Sequence, residues 1–125
     1  MEEVEFRIFL RRPEYPVLII SSEKLYSAHN LKQLAEICVS LPLEGAENKT
    51  RIVDSTGSEF WYFPEQYILS PGFVTKKWTK KKLIETFNNS SNARELNKEY
   101  SMKSLSSKKL QEVIGDICRI LDSET

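Results

Sequence analysis

The sequence is poor in the residues that build catalytic centres. Its 125 residues include one histidine and four glycines. A single histidine, His29, is too few for most metal sites, and without a plausible partner it gives no serine–histidine–aspartate triad. Neither a P-loop motif nor the glycine-rich dinucleotide fingerprint occurs, so no loop for cradling phosphates is expected. We therefore expect a protein that is not an enzyme and that holds no cofactor or metal.

Cysteines, net charge and long apolar runs are also scarce. Cys38 and Cys118 both fall in apolar helical patterns, which predicts buried free thiols instead of a disulfide framework. No run approaches the roughly 18 apolar residues of a membrane span, and the acidic start MEEVEF lacks the pattern of a signal peptide. These features predict a cytoplasmic protein with no membrane contact. They leave open whether it is a monomer or a homodimer.

Hydrophobic periodicity predicts a single α+β domain over residues 1–125. The expected sheet is mainly antiparallel and has four or five short strands, with about three helices packed on one face. The first two strands are joined by a proline-containing turn and are expected to form a hairpin. The segment 21–29 is polar and is predicted to be irregular. The predicted strands cover residues 4–11, 16–21, 50–54, 59–63 and possibly 66–69, and the predicted helices cover 30–41, 79–88 and 107–122, in the order β-β-α-β-β-(β)-α-α. The expected N-caps of the three helices are Asn30, Thr79 and Ser107.

Aromatic residues concentrate in the middle of the chain. Four of them, Phe60 to Phe63, follow one another in a predicted strand after a turn at Asp54 to Gly57. Successive side chains of a strand point to opposite faces, so both faces of this strand carry rings. Such rings need cover from the C-terminal helix, a second subunit or a partner.

A lysine cluster surrounds the predicted start of the second helix, just after Trp78. Positive charge there opposes the helix dipole, at about 0.3–1 kcal/mol per unscreened charge. An anion that docks on the ammonium groups and the free helix amides would offset this cost. The alternative is that the lysines form a solvated face and that Trp78 belongs to the core. The cluster consists of Lys76, Lys77, Lys80, Lys81 and Lys82.

Two functional interpretations follow. The first is a small binding or adaptor protein, such as a bacterial inhibitor or regulator, whose protein partner or acidic ligand docks on the segment 59–82. The alternative is a nucleic-acid-binding protein that uses the lysine cluster and Trp78 for stacking, although a pI near 6.6 is low for such a domain. The candidate contact residues are Trp61, Tyr62, Lys76, Lys77, Trp78, Lys80, Lys81 and Lys82.

Overall fold

One six-stranded sheet organises the chain in a computed structural model that describes residues 6–8, 10–41, 50–64, 67–71, 77–101, 103 and 107–123. The spatial order of the strands is β1-β6-β5-β4-β2-β3, and every pairing is antiparallel except that of β1 with β6. The α+β class is confirmed, with one strand more than expected. The strands are β1 (Arg7–Ile8), β2 (Val17–Ser21), β3 (Lys24–Ala28), β4 (Thr50–Val53), β5 (Glu59–Phe63) and β6 (Ile68–Pro71), and the helices are α1 (Leu31–Ser40), α2 (Lys80–Asn88), α3 (Ser91–Leu96) and α4 (Leu110–Asp122).

Helices cover both faces of this sheet. The run Val17–Ile20 is apolar at every position, so its alternate side chains need cover on each side. Val17 and Ile19 pack with α1 on what we call the α1 face. Leu18 and Ile20 pack with α2, α3 and α4 on the opposite side, the α4 face. The expectation that the helices share one face therefore holds only for the last three.

The strand β3 was missed in the sequence, where residues 21–29 had been predicted to be irregular. It forms a tight hairpin with β2, and Ser22 takes a positive φ of 56° in the turn. Its side chains are polar in composition, but Leu25 is buried against the α4 face and Ala28 against the α1 face. Edge strands carry such mixed patterns because one backbone edge has no neighbouring strand.

The strand β1 was predicted to pair with the second strand, and this is wrong. It lies at the far edge of the sheet, parallel to β6. The chain between β1 and β2 crosses the β4–β5 turn instead, where the amide of Glu14 donates to Oδ2 of Asp54 over 3.1 Å. The buried Oδ1 of Asp54 also accepts from the amides of Thr56 and Ser58, both at 3.0 Å. Asp54 thus ties its own turn to the crossing segment.

The helix boundaries agree well with the sequence pattern. The side chains of Asn30 and Thr79 cap α1 and α2 as predicted, and the apolar stripe of α4 from Val113 to Leu121 is buried. The predicted cap at Ser107 is wrong, because α4 starts at Leu110. None of the helices in the described part of the chain is long and apolar enough to cross a membrane.

The two cysteines are buried and free, and the sheet separates them. Cys38 lies in the core of the α1 face and Cys118 in that of the α4 face. Burial raises the pKa of each thiol to about 12. A bridge between them would require the sheet to open.

A polar cluster fixes α4 to the segment before it. Asp116 accepts hydrogen bonds from the hydroxyl of Tyr100, at 2.6 Å, and from Lys108 and Arg119. Burial alone would raise the pKa of Asp116. The hydrogen bonds from Lys108 and Tyr100 and the nearby positive charges outweigh burial and hold that pKa below its usual 3.8.

Candidate functional site

The α4 face is only partly covered by helices. Within the described residues, α4 packs on β2 and β3, and α3 on β3, so this helix layer lies over one end of the sheet. At the other end, strand register places side chains from four strands in two rows on the same face. Arg51, Trp61 and Ser70 form one row, and Phe63, Ile68 and Arg7 form the next. We call these six residues the open face.

The open face has an apolar centre and cationic corners. Phe63 is 41% exposed, although it is a large apolar residue. Trp61 and Ile68 beside it are partly exposed, as is Arg51 at one corner, and Arg7 at the other corner is exposed. The patch therefore combines rings that water solvates poorly with two guanidinium groups.

One carboxylate holds both tryptophans of the chain. Oε2 of Glu59 accepts from Nε1 of Trp61 at 2.7 Å, and Oε1 accepts from Nε1 of Trp78 at 2.8 Å. A guanidinium nitrogen of Arg51 lies 3.9 Å from Oε1. Charge-assisted hydrogen bonds of this kind are stronger than neutral ones. Glu59 therefore orients Trp61 at the open face while it anchors Trp78 in the core.

Trp78 itself is enclosed by protein. It is 5% exposed and belongs to the core of the α4 face. The guanidinium carbon of Arg51 lies 5.5 Å from the centroid of its ring, and Nζ of Lys82 lies 4.2 Å from it. Both distances are within the range of cation–π attraction. In this position the ring of Trp78 is not presented to a stacking nucleotide.

The lysine cluster divides into members with different surroundings. Lys77 and Lys81 are exposed, and neither forms an ion pair within the described ranges. Nζ of Lys80 donates to the backbone carbonyl of Lys108 at 2.7 Å, which ties the start of α2 to the segment before α4. Lys82 lies over Trp78, and Lys76 lies outside the described residues. Local contacts thus involve two of the four described lysines.

Tyr62 lies on the other side of the sheet from Trp61. It is buried on the α1 face, where its ring stacks on Phe6 with centroids 5.8 Å apart. Burial raises the pKa of Tyr62 to about 12, and no described residue pairs with its hydroxyl. The sheet separates this side chain from Trp61 and Trp78.

His29 has a serine and an aspartate near it, but in a different order from a catalytic triad. Nε2 of His29 lies 2.7 Å from one carboxylate oxygen of Asp122, and the hydroxyl of Ser27 donates to the other oxygen. A triad needs the histidine between the nucleophile and the acid. Here the aspartate is in the middle, so the histidine is not placed to take a proton from Ser27. Within the searched parts of the chain, no three metal-ligating side chains come together.

Comparison with known proteins identifies no family for this chain. No protein-family model matches the chain, and neither the curated proteins nor the solved structures contain a match.

Sequence reasoning selected Trp61 but missed its neighbours on the open face. Phe63 could have been found, since it lies two residues after Trp61 in one strand and so shares its face. Arg51 could have been found from the hairpin register about the turn at Asp54. Arg7 could not, because its position depends on the parallel pairing of the first strand with the last. The position of Ile68 depends on the register of β6 against β5, with residues 65–66 between them outside the described part of the chain.

Proposed function

We propose that this chain is a small non-enzymatic binding or adaptor protein whose protein partner docks on the open face. The observation that carries the proposal is the exposure of Phe63 beside Trp61 and Ile68 on a sheet face whose other end is covered by helices. Contiguous exposed apolar groups rimmed by polar ones are typical of interaction surfaces. Aromatic residues and arginine are also the side chains enriched at the centres of protein interfaces.

Several contacts favour a protein over a nucleic acid as the partner. Trp78 is enclosed. Nζ of Lys80 donates to the carbonyl of Lys108, and Nζ of Lys82 lies over the ring of Trp78. The chain also has no excess of positive charge, whereas phosphate-binding domains are usually basic. The nucleic-acid interpretation depended on Trp78 as a stacking ring, and the burial of Trp78 counts against it.

The proposal is tested by affinity capture from lysate of the native host with a matched pair of surface variants. Phe63→Ser removes the exposed ring of the open face. Leu31→Ser removes an equally exposed apolar side chain, 43% exposed against 41%, at the start of α1. We expect a nuclease-resistant protein to be captured by the unchanged chain and by Leu31→Ser, and to be lost with Phe63→Ser.

Two results would count against this proposal. Capture that is unaffected by Phe63→Ser would place the docking surface elsewhere. Capture that disappears after nuclease treatment, and that weakens steeply with salt, would favour the nucleic-acid alternative. Thermal melts of both variants check that each remains folded, since exposed substitutions usually change stability by less than about 0.5 kcal/mol.

A further inference from the structure

Side chains, and not a neighbouring strand, satisfy much of the outer edge of β3. The side chain of Asn92 accepts from the amide of Leu25 at 2.8 Å and donates to the carbonyl of Leu25 at 3.0 Å. Just past the end of β3, the amide of His29 donates to the side-chain oxygen of Gln33 at 2.8 Å. Carboxamide groups of the chain itself therefore bind this edge at two positions.

Ser27 lies midway between these two positions, and its backbone is not satisfied in this way. In an antiparallel pair, the residues whose N–H and C=O point away from the partner strand recur at every second position. Leu25 points these groups outward to Asn92. Ser27, two residues later in the same pairing with β2, points its own groups outward as well. Within the described part of the chain, neither of these two groups has a hydrogen-bond partner.

A cavity of about 370 Å³ lies along this edge, and Ser27 and Asn92 are among the residues that line it. Leu121 lines it from the α4 face of the sheet, and Tyr26 and Ile37 line it from the α1 face. Small-molecule sites have volumes of about 300–1,000 Å³, are mostly apolar and contain a few polar groups that fix the orientation of the ligand. The N–H and C=O of Ser27 are polar groups of this kind.

The neighbours of Ser27 exclude an added strand. A partner strand needs outward-facing groups of several residues along an edge. Here Asn92 binds both groups of Leu25, and the carbonyl of Glu23 accepts from the amide of Ser91 at 2.8 Å. The edge therefore has room for a compact group that binds Ser27 alone.

The geometry of amides narrows the choice of that group. In a primary carboxamide, one N–H lies on the same side as the C=O, so a single group can accept from a backbone N–H and donate to the C=O of the same residue. Asn92 does this at Leu25. A cyclic lactam has the same arrangement. A trans secondary amide does not, because its N–H and C=O point to opposite sides.

We propose that the edge of β3 binds a small molecule with a primary carboxamide or a lactam, which pairs with Ser27 as Asn92 pairs with Leu25. The amide oxygen of the ligand accepts from the N–H of Ser27, and the amide N–H donates to the carbonyl of Ser27. The apolar remainder of the ligand packs against Ile37 and Leu121. This site goes beyond the proposed function, since β3 lies at the opposite edge of the sheet from β1.

Benzamide is the probe, because it combines a primary carboxamide with an apolar ring. Its control is N-methylbenzamide, which keeps the ring and the carbonyl but whose one N–H points away from the oxygen. NMR spectra of the full ¹⁵N-labelled chain follow the backbone amide signals during titration. We expect benzamide to move the amide signal of Ser27 in a saturable way, with a dissociation constant in the millimolar range that is usual for such a small ligand. N-methylbenzamide should bind about threefold or more weakly, since one hydrogen bond is lost.

Two substitutions at residue 27 make a matched pair. Ser27→Pro removes the outward N–H, and proline is accepted on an edge strand where that N–H pairs with no other strand. Ser27→Ala removes the hydroxyl and keeps the N–H. We expect Ser27→Pro to weaken benzamide binding about threefold or more, and Ser27→Ala to change it less than about twofold. The amide signals of Tyr26 and Ala28 report binding in both variants, and thermal melts check that each is folded.

Several results would overturn this inference. One is the absence of a saturable shift at the edge of β3, and another is equal binding of benzamide and N-methylbenzamide. Undiminished binding to a folded Ser27→Pro variant would also overturn it, and if that variant does not fold, the comparison of the two benzamides on the unchanged chain decides. Capture of a host protein by Ser27→Ala but not by Ser27→Pro would overturn the small molecule in favour of an asparagine or glutamine side chain of a partner.

Discussion

Replacing Glu59 by glutamine separates the two tasks of its carboxylate. Glutamine is nearly the same size, but it has one acceptor oxygen where glutamate has two. Trp78 is buried, whereas Trp61 is partly exposed. We expect the remaining oxygen to turn to the indole of Trp78, since water can satisfy the N–H of Trp61 but not that of Trp78.

The size of the effect follows from the hydrogen bonds that change. Hydrogen bonds to charged groups contribute about 1.5–3 kcal/mol each, and one of the two at Glu59 is lost. Solvation of the N–H of Trp61 offsets part of that loss. The attraction of Arg51, 3.9 Å away, is also removed. We expect Glu59→Gln to lower the free energy of unfolding by about 2 kcal/mol, which shifts a urea midpoint by about 1 M for a domain of this size.

Urea denaturation measures the change, with Glu85→Gln as the control. Glu85 is an exposed carboxylate on α2, and its substitution should alter stability by less than about 0.5 kcal/mol. A double-mutant cycle with Trp61→Phe, which removes the indole donor, should give a coupling energy of about 1 kcal/mol or more between residues 59 and 61. In NMR spectra, the indole N–H signal of Trp61 should move further than that of Trp78.

A midpoint for Glu59→Gln that equals that of Glu85→Gln would refute this reasoning. So would a coupling energy near zero, because it would show that Glu59 stabilises the fold without holding Trp61. A larger displacement of the Trp78 signal would mean that the glutamine oxygen follows the exposed indole, in conflict with the argument from burial.

Three further predictions concern the core and the polar cluster on α4. Ile117→Ala should lower the free energy of unfolding by about 2–4 kcal/mol because the side chain is fully buried; an unchanged denaturation midpoint would contradict this. Cys38 and Cys118 should react with a thiol reagent only after denaturant is added, since burial raises the pKa of both thiols to about 12; rapid labelling of the folded chain would contradict it. The folded-state pKa of Asp116 is below 3.8, so ionised Asp116 adds stability at higher pH that is lost as the pH falls through that lower pKa. The difference in stability between the unchanged chain and Asp116→Asn should therefore narrow on acidification, and acid melts that stay parallel down to about pH 2 would contradict this linkage.

Local signals in the sequence predicted the parts of the fold that depend on neighbouring residues. Asn30 and Thr79 were recognised as caps because a short polar side chain before an apolar period is typical of a helix start. The turn at Asp54 was predicted for the same kind of reason, since an aspartate carboxylate can bond to the amide two residues later. In the structure it accepts from the amides two and four residues later.

The parts that were missed depend on residues far apart in the chain. The pairing of Arg7 with Ile68 joins the first and the last strand of the sequence, and no local pattern of either segment specifies it. The strand β3 mixes polar and apolar residues, and outward-facing backbone groups of this edge are satisfied by side chains such as Asn92, more than sixty residues later. Hydrophobic periodicity within a short window of sequence cannot detect such a distant partner.

The same limitation changed the interpretation of the lysine cluster. In the sequence, lysines at the start of α2 suggested an anionic partner because they oppose the helix dipole. In the structure, Lys80 donates to the carbonyl of Lys108 and Lys82 lies over Trp78, so intramolecular contacts offset at least part of that cost. A cost offset within the fold is no longer an argument for a partner. Phe63 makes the stronger argument, because the described part of the chain leaves this ring substantially exposed on a face whose other end is covered by helices.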